Sequence, residues 1–141
     1  MWIIQKENDR MVMPVIEVTC AIITDGDRVL VTQRSESMPH PMKWEFPGGK
    51  LKPGETPEGC IIREIREELG VEISVKQLLP SVKHIYGKNR VKLIPFICRI
   101  ERGDISLSEH RSYRWVRRSE MEALDWLDAD VEVVALLKTV R

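Results

Sequence analysis

Sulfur is scarce in this chain and is not arranged to bind anything. Its three cysteines, Cys20, Cys60 and Cys98, lie far apart without a C-x-x-C pair. That excludes a zinc knuckle or a dithiol redox motif and predicts reduced, packed thiols. Net charge is also missing, because Lys and Arg number 22 and Asp and Glu number 22. Without a basic excess, no nucleic-acid groove and no anionic-membrane partner are expected, and a compact anionic ligand would have to be met by local charges. No apolar run reaches membrane-spanning length and the N-terminus lacks a secretory pattern, so a cytoplasmic location is expected. At 141 residues and 43% hydrophobic content the chain can bury one core, with no room for a second catalytic unit.

The most informative stretch runs from Gly49 to Val71. Thr56 can cap a helix whose first residue is Pro57, and Gly70 suits a left-handed exit, so the loop from Gly48 to Glu55 hands directly into a helix. At 100° per residue Ile61, Ile62, Ile65 and Leu69 gather on one side, while Glu64, Glu67 and Glu68, at i, i+3 and i+4, gather on another. Like charges at this spacing each cost an isolated helix a few tenths of a kcal/mol, so something positive is expected between them. Arg63 and Arg66 could balance them as a solvated surface. The Gly48-Gly49 turn just before the helix points further, since it leaves backbone groups accessible to a ligand, and an oxygen-only face suits a hard divalent cation such as magnesium.

Gly49, five residues, Glu55, seven residues and then Arg63-Glu64-Ile65-Arg66-Glu67-Glu68-Leu69-Gly70-Val71 resembles the signature of the Nudix hydrolases, with every fixed position filled. Trp44-Glu45-Phe46-Pro47-Gly48-Gly49-Lys50 resembles the MutT branch of that family. The resemblance implies an α/β/α sandwich with a curved mixed sheet between helices. It also implies hydrolysis of a nucleoside triphosphate to the monophosphate and pyrophosphate with Mg²⁺, or Mn²⁺ in its place. By position, Glu64, Glu67 and Glu68 would be metal ligands with the Gly48 carbonyl beside them. Glu64 would take the proton from the attacking water, and Arg63 would orient Glu55 or Glu67. Glu109, in Ser108-Glu109-His110-Arg111-Ser112-Tyr113-Arg114-Trp115, resembles a further metal carboxylate of the branch. Arg34, Lys50 and Gly49 would meet the phosphates, and Phe46 with the Asp128-Ala129-Asp130 turn would face the nucleoside.

Asp130 stands where the bacterial oxidised-guanine enzymes carry Asn. An ionised Asp only accepts hydrogen bonds, which favours an exocyclic amine and hence cytosine, while a protonated Asp could serve guanine and an N-cap role is the structural alternative. Other nucleoside diphosphate derivatives, such as a dinucleoside polyphosphate, at which Tyr86 hints, or ADP-ribose, form the second enzymatic reading. A nucleotide-sensing module is the third. The expected assembly is a monomer or homodimer.

Elsewhere the sequence predicts strands over Val15–Ile23 and Arg28–Arg34 joined at Asp25-Gly26, and an exposed loop from Ser35 to Lys43 that holds His40. Further strands are expected near Glu72–Lys76, Lys83–Tyr86, Arg90–Ile100 and Tyr113–Val116, with Pro95 implying an edge position or a bulge. Ser119-Glu120-Met121-Glu122 reads as a capping box, and Val131–Val140 as a closing helix with Val133, Leu137 and Val140 on one side. The family pattern begins near Val15, which leaves residues 1–13 as an N-terminal extension to a single domain over 14–141. Trp2-Ile3-Ile4 in that extension could add an edge strand, serve a subunit contact or form a loose arm. Deleting residues 1–12 is expected to leave turnover intact in a steady-state assay, and a large loss would place the arm in the working fold.

Overall fold

The computed structural model describes residues 14–140. The extension over residues 1–13, with the readings of Trp2-Ile3-Ile4, lies outside the described residues. Strand β1 (Val15–Asp25) is the axis of the sheet. It pairs parallel with β7 (Asn89–Arg102) from Val15↔Arg90 to Ile23↔Cys98, antiparallel with β4 (Gly48–Lys50), and at its far end antiparallel with β2 (Arg28–Gln33). Strand β2 carries β3 (Trp44–Glu45) and β8 (Ser112–Arg117), while β7 carries β5 (Glu72–Leu78) and β6 (Val82–Tyr86). This is a mixed sheet between helices, the architecture that the resemblance implies.

Alternation along β1 splits the core into two. Ala21 and Ile23 face helix α1 (Pro57–Leu69) and its buried Ile61, Ile65 and Leu69. Cys20 and Ile22 face the other way, towards Phe46, Trp126 and helix α2 (Asp128–Leu137) with Val133 and Leu137. Side chains two residues apart share a face of a strand, so one central strand seeds both layers. All three cysteines are buried free thiols, and no helix among the described residues is long and apolar enough to cross a membrane.

Helix α1 forms as its sequence dictates. The Thr56 hydroxyl accepts from Gly59 N at 3.0 Å, Pro57 occupies the first turn, and Gly70 adopts φ 69° with its N–H on the Arg66 carbonyl. Elsewhere the structure corrects three readings. Strand β7 is central rather than an edge, and the register shifts against β5 leave one extra residue in each strand, Glu101 in β7 and Lys76 in β5, neither of them at Pro95. The Pro95 carbonyl accepts from Leu79 N, so its donorless nitrogen, on the same side of the strand, faces the gap where β7 changes partner from β6 to β5. The capping box is displaced: Glu120, not Glu122, folds back onto a backbone N–H, that of Arg117, at 3.0 Å. Helix α2 starts at Asp128 rather than Val131 because the Tyr86 hydroxyl accepts from Ala129 N at 2.7 Å, satisfying a first-turn N–H from a distant strand. Asp130 therefore lies inside that helix and is not its N-cap, which is Leu127.

Ile65 is fully buried against the α1 face of the sheet. Ile65→Ala is expected to cost about 2–5 kcal/mol in urea unfolding.

Candidate active site

Gly48 and Gly49 let the chain pass closer to its surroundings than a side chain permits. A Cβ on Gly48 would lie 2.0 Å from the Thr19 carbonyl oxygen, and one on Gly49 would lie 2.0 Å from Glu64 Oε1. Rather than the expected turn, the two glycines open strand β4, which pairs with β1 on one side and lies against a helix carboxylate on the other. Thr19 Oγ1 donates to the Gly49 carbonyl at 3.2 Å, and the Cys60 thiol lies 3.3 Å from the same hydroxyl.

Arg63 supplies the positive charge that the acidic face requires. Its guanidinium spans Glu55 at 2.7 and 3.0 Å, Glu64 at 3.0 Å, Glu67 at 3.3 Å and the Lys50 carbonyl at 3.2 Å. The expected choice between Glu55 and Glu67 resolves into both. Hydrogen bonds from Arg63 hold the Glu55 carboxyl down at about 2. Glu68 behaves oppositely: burial first, then the charges of Glu45 and Glu64, push it up to about 9, although Gly48 N donates to its Oε1 at 3.1 Å. Negative charge is therefore crowded on this face, and the donors are all oxygen, as a hard cation requires. Among the described residues no three His, Cys, Asp or Glu side chains form a ready-made metal cage.

A cleft of about 530 Å³ begins at this face. Gly48, Gly49, Lys50, Glu64, Glu67, Glu68 and Glu109 line one end. At the other lie Phe46, Asp130 and Arg34, with Val18, Leu93, Met38 and Tyr86 around them. The structure thus gathers into one cavity every candidate named from the sequence except Arg63 and Glu55, which brace it from behind. Lys50 is exposed and makes no ion pair among the described residues. Arg34 is already engaged, with Glu45 at 2.9 Å and the Pro39 carbonyl at 2.7 Å. Asp130 is buried, with Oδ1 accepting from Phe46 N at 3.3 Å, and burial followed by the Glu45 charge raises its carboxyl well above the usual range. His40 stays on the exposed loop, its ring 5.6 Å from that of Tyr86.

Sequence reasoning passed over Glu45 and His110. Glu45 holds Arg34 through one oxygen and His110 Nε2, at 2.7 Å, through the other. Its signal was its place between Trp44 and Phe46 in an otherwise apolar approach to the glycines. His110 stood in a polar loop beside Glu109 with nothing to mark it as buried.

Fold and site together define a hydrolase class, with an acidic, glycine-floored end and an apolar end in one cleft. The chain belongs to the Nudix family: the NUDIX domain profile matches residues 13–137. Over 129 residues it is 29% identical to the CTP pyrophosphohydrolase of Escherichia coli K12, covering 92% of this chain and 96% of that one. It is 32% identical over 114 residues to a putative 8-oxo-dGTP diphosphatase 2 of Mycobacterium tuberculosis, covering 80% and 81%. The solution NMR structure of a MutT protein of methicillin-resistant Staphylococcus aureus 252 superposes with a TM-score of 0.72 at 37% identity, covering 88% of this chain and 95% of that one. The chain is a MutT-like Nudix hydrolase.

Gly49→Ala presses a methyl first on the carboxylate end of Glu64 rather than on backbone, so the fold should survive. Turnover is expected to fall on the order of 100-fold from misplacement of that carboxylate, with the melting temperature little changed.

Proposed function

We propose that the protein is a magnesium-dependent pyrophosphohydrolase that converts a (deoxy)nucleoside triphosphate to the monophosphate and pyrophosphate, with a nucleotide-sanitising role. The observation that carries this reading is the continuity of one cleft from the carboxylates of α1 to buried Asp130. The names of the similar proteins, a CTP pyrophosphohydrolase and an 8-oxo-dGTP diphosphatase, support it.

Glu64, Glu67, Glu68 and Glu109, with the Gly48 carbonyl, would hold the divalent ion. When bound, the ion stabilises charge on phosphate oxygens and lowers the pKa of a bound water. Arg63 fixes one oxygen of Glu64, leaving Oε1 turned to Gly49 and able to take a proton from the attacking water. Lys50, which lines the cleft, would meet the phosphates, and Arg34 would do so while Glu45 aims it. Phe46, Leu93 and Val18 keep water from the base.

Asp130 sets the base contact, and its burial changes the argument from composition. A neutral acid offers one donor and one acceptor, as Asn does. The ground for favouring cytosine over guanine therefore falls away. Such a group can pair with cytosine N3 and its amine, or with guanine O6 and N1–H. We accordingly propose a cytosine or guanine nucleotide, including oxidised or substituted forms, as substrate.

The test is pyrophosphate release from 8-oxo-dGTP, CTP, dCTP, 5-substituted dCTP and ATP, with and without Mg²⁺. Release from a cytosine or guanine nucleotide that stops on metal removal is expected. Nucleotide binding without any release would instead mark a sensing module, and preferential cleavage of ADP-ribose or a dinucleoside polyphosphate would replace the triphosphate reading. Asp130→Ala should lower kcat/KM by on the order of 10- to 100-fold while Asp130→Asn largely preserves it, since only the first removes both hydrogen bonds.

A further inference from the structure

His110 is 7% exposed, and its Nδ1 is the buried side-chain nitrogen or oxygen among the described residues that lacks a hydrogen-bond partner. Leaving a buried polar atom without a partner is costly, so its position asks for a reason. Nε2 is fixed by Glu45 at 2.7 Å, and that pins the ring. In that orientation Nδ1 lies 3.4 Å from Glu68 Oε2, close to it but outside hydrogen-bond geometry. The other oxygen of Glu68 already receives Gly48 N. A line of side chains, hydrogen-bonded except between His110 and Glu68, therefore runs from Arg34 through Glu45 and His110 to Glu68 and Gly48 N.

We propose that His110 is a positioning residue: through Nδ1 it sets the Glu68 carboxylate in the orientation that grips the divalent cation, and through Nε2 and Glu45 it ties that orientation to Arg34 at the substrate side. A small movement of Glu68 on loading brings Oε2 into line with Nδ1, which then donates to the carboxylate. The loop that carries Glu109 is anchored by its neighbour in the same movement. Histidine does this where an aliphatic residue would not, since it alone reaches two carboxylates from one buried ring. The inference rests on Glu68 being a metal ligand, and Mn²⁺ binding by the unaltered protein tests that reading separately.

Two variants separate the two nitrogens, because an Asn amide nitrogen takes the place of Nδ1 and a Gln amide nitrogen that of Nε2. Mn²⁺ binding is read from the free-ion EPR signal on nucleotide-free protein, with melting temperature measured alongside. His110→Gln should weaken Mn²⁺ binding by about 10-fold or more, and His110→Asn should stay within about threefold of the parent. Equal affinity in all three proteins, or equal loss in both variants, overturns the proposal. The unaltered protein gives a second readout: on adding Mg²⁺ the ¹⁵N resonance of His110 Nδ1 should shift while those of His40 and His84 stay, and a stationary His110 signal also overturns it.

Discussion

Crowded negative charge is the constraint from which the rest of this molecule follows. Glu64, Glu67 and Glu68 share a helix face, with Glu55 and Glu109 brought up to it from loops and Glu45 close enough to raise Glu68. Arg63 alone touches three of these carboxylates and the Lys50 carbonyl, so it binds the loop before the helix to the helix itself. It does not reach Glu68, where the charge balance is left for something else to complete. The reaction proposed for this cleft uses that deficit, since a cation arriving with its polyphosphate finds a site short of positive charge.

The sheet supplies the distances. Successive residues of β1 serve opposite faces, so Thr19 props the Gly49 carbonyl on the α1 side while Val18 and Cys20 line the cleft. The separation between the acidic end and the compartment at Asp130 is thereby set by strand pairing rather than by flexible loops. At that far end a side chain of β6, Tyr86, closes the start of α2 and helps place Asp130.

Helix α1, its caps and its acidic and apolar faces were legible in the sequence because each depends on neighbours within a few residues. Apart from the displaced capping box, whose Glu120 bonds Arg117 N three residues back, the departures arise from contacts distant along the chain. Pro95 is accommodated in a central strand by a change of partner 15 residues earlier, around Leu79 and Val82, which no local pattern announces. Helix α2 begins early because Tyr86, 43 positions away, accepts its N–H. Burial and the proximity of Glu45, 85 residues upstream, raise the Asp130 carboxyl well above its usual range and so favour the protonated form over the ionised one. His110 is hidden for the same reason: its partners, Glu45 and Glu68, belong to other elements.

The parallel pairing of β1 with β7 joins residues about 75 positions apart, as in Val15 with Arg90. Closing so long a loop must precede the contacts that reward it, which slows the approach to the native state. During synthesis, α1 with its carboxylates leaves the ribosome well before β7 can complete the floor beneath it. The nascent chain thus carries its acidic helix for dozens of residues before there is a cleft for that helix to line.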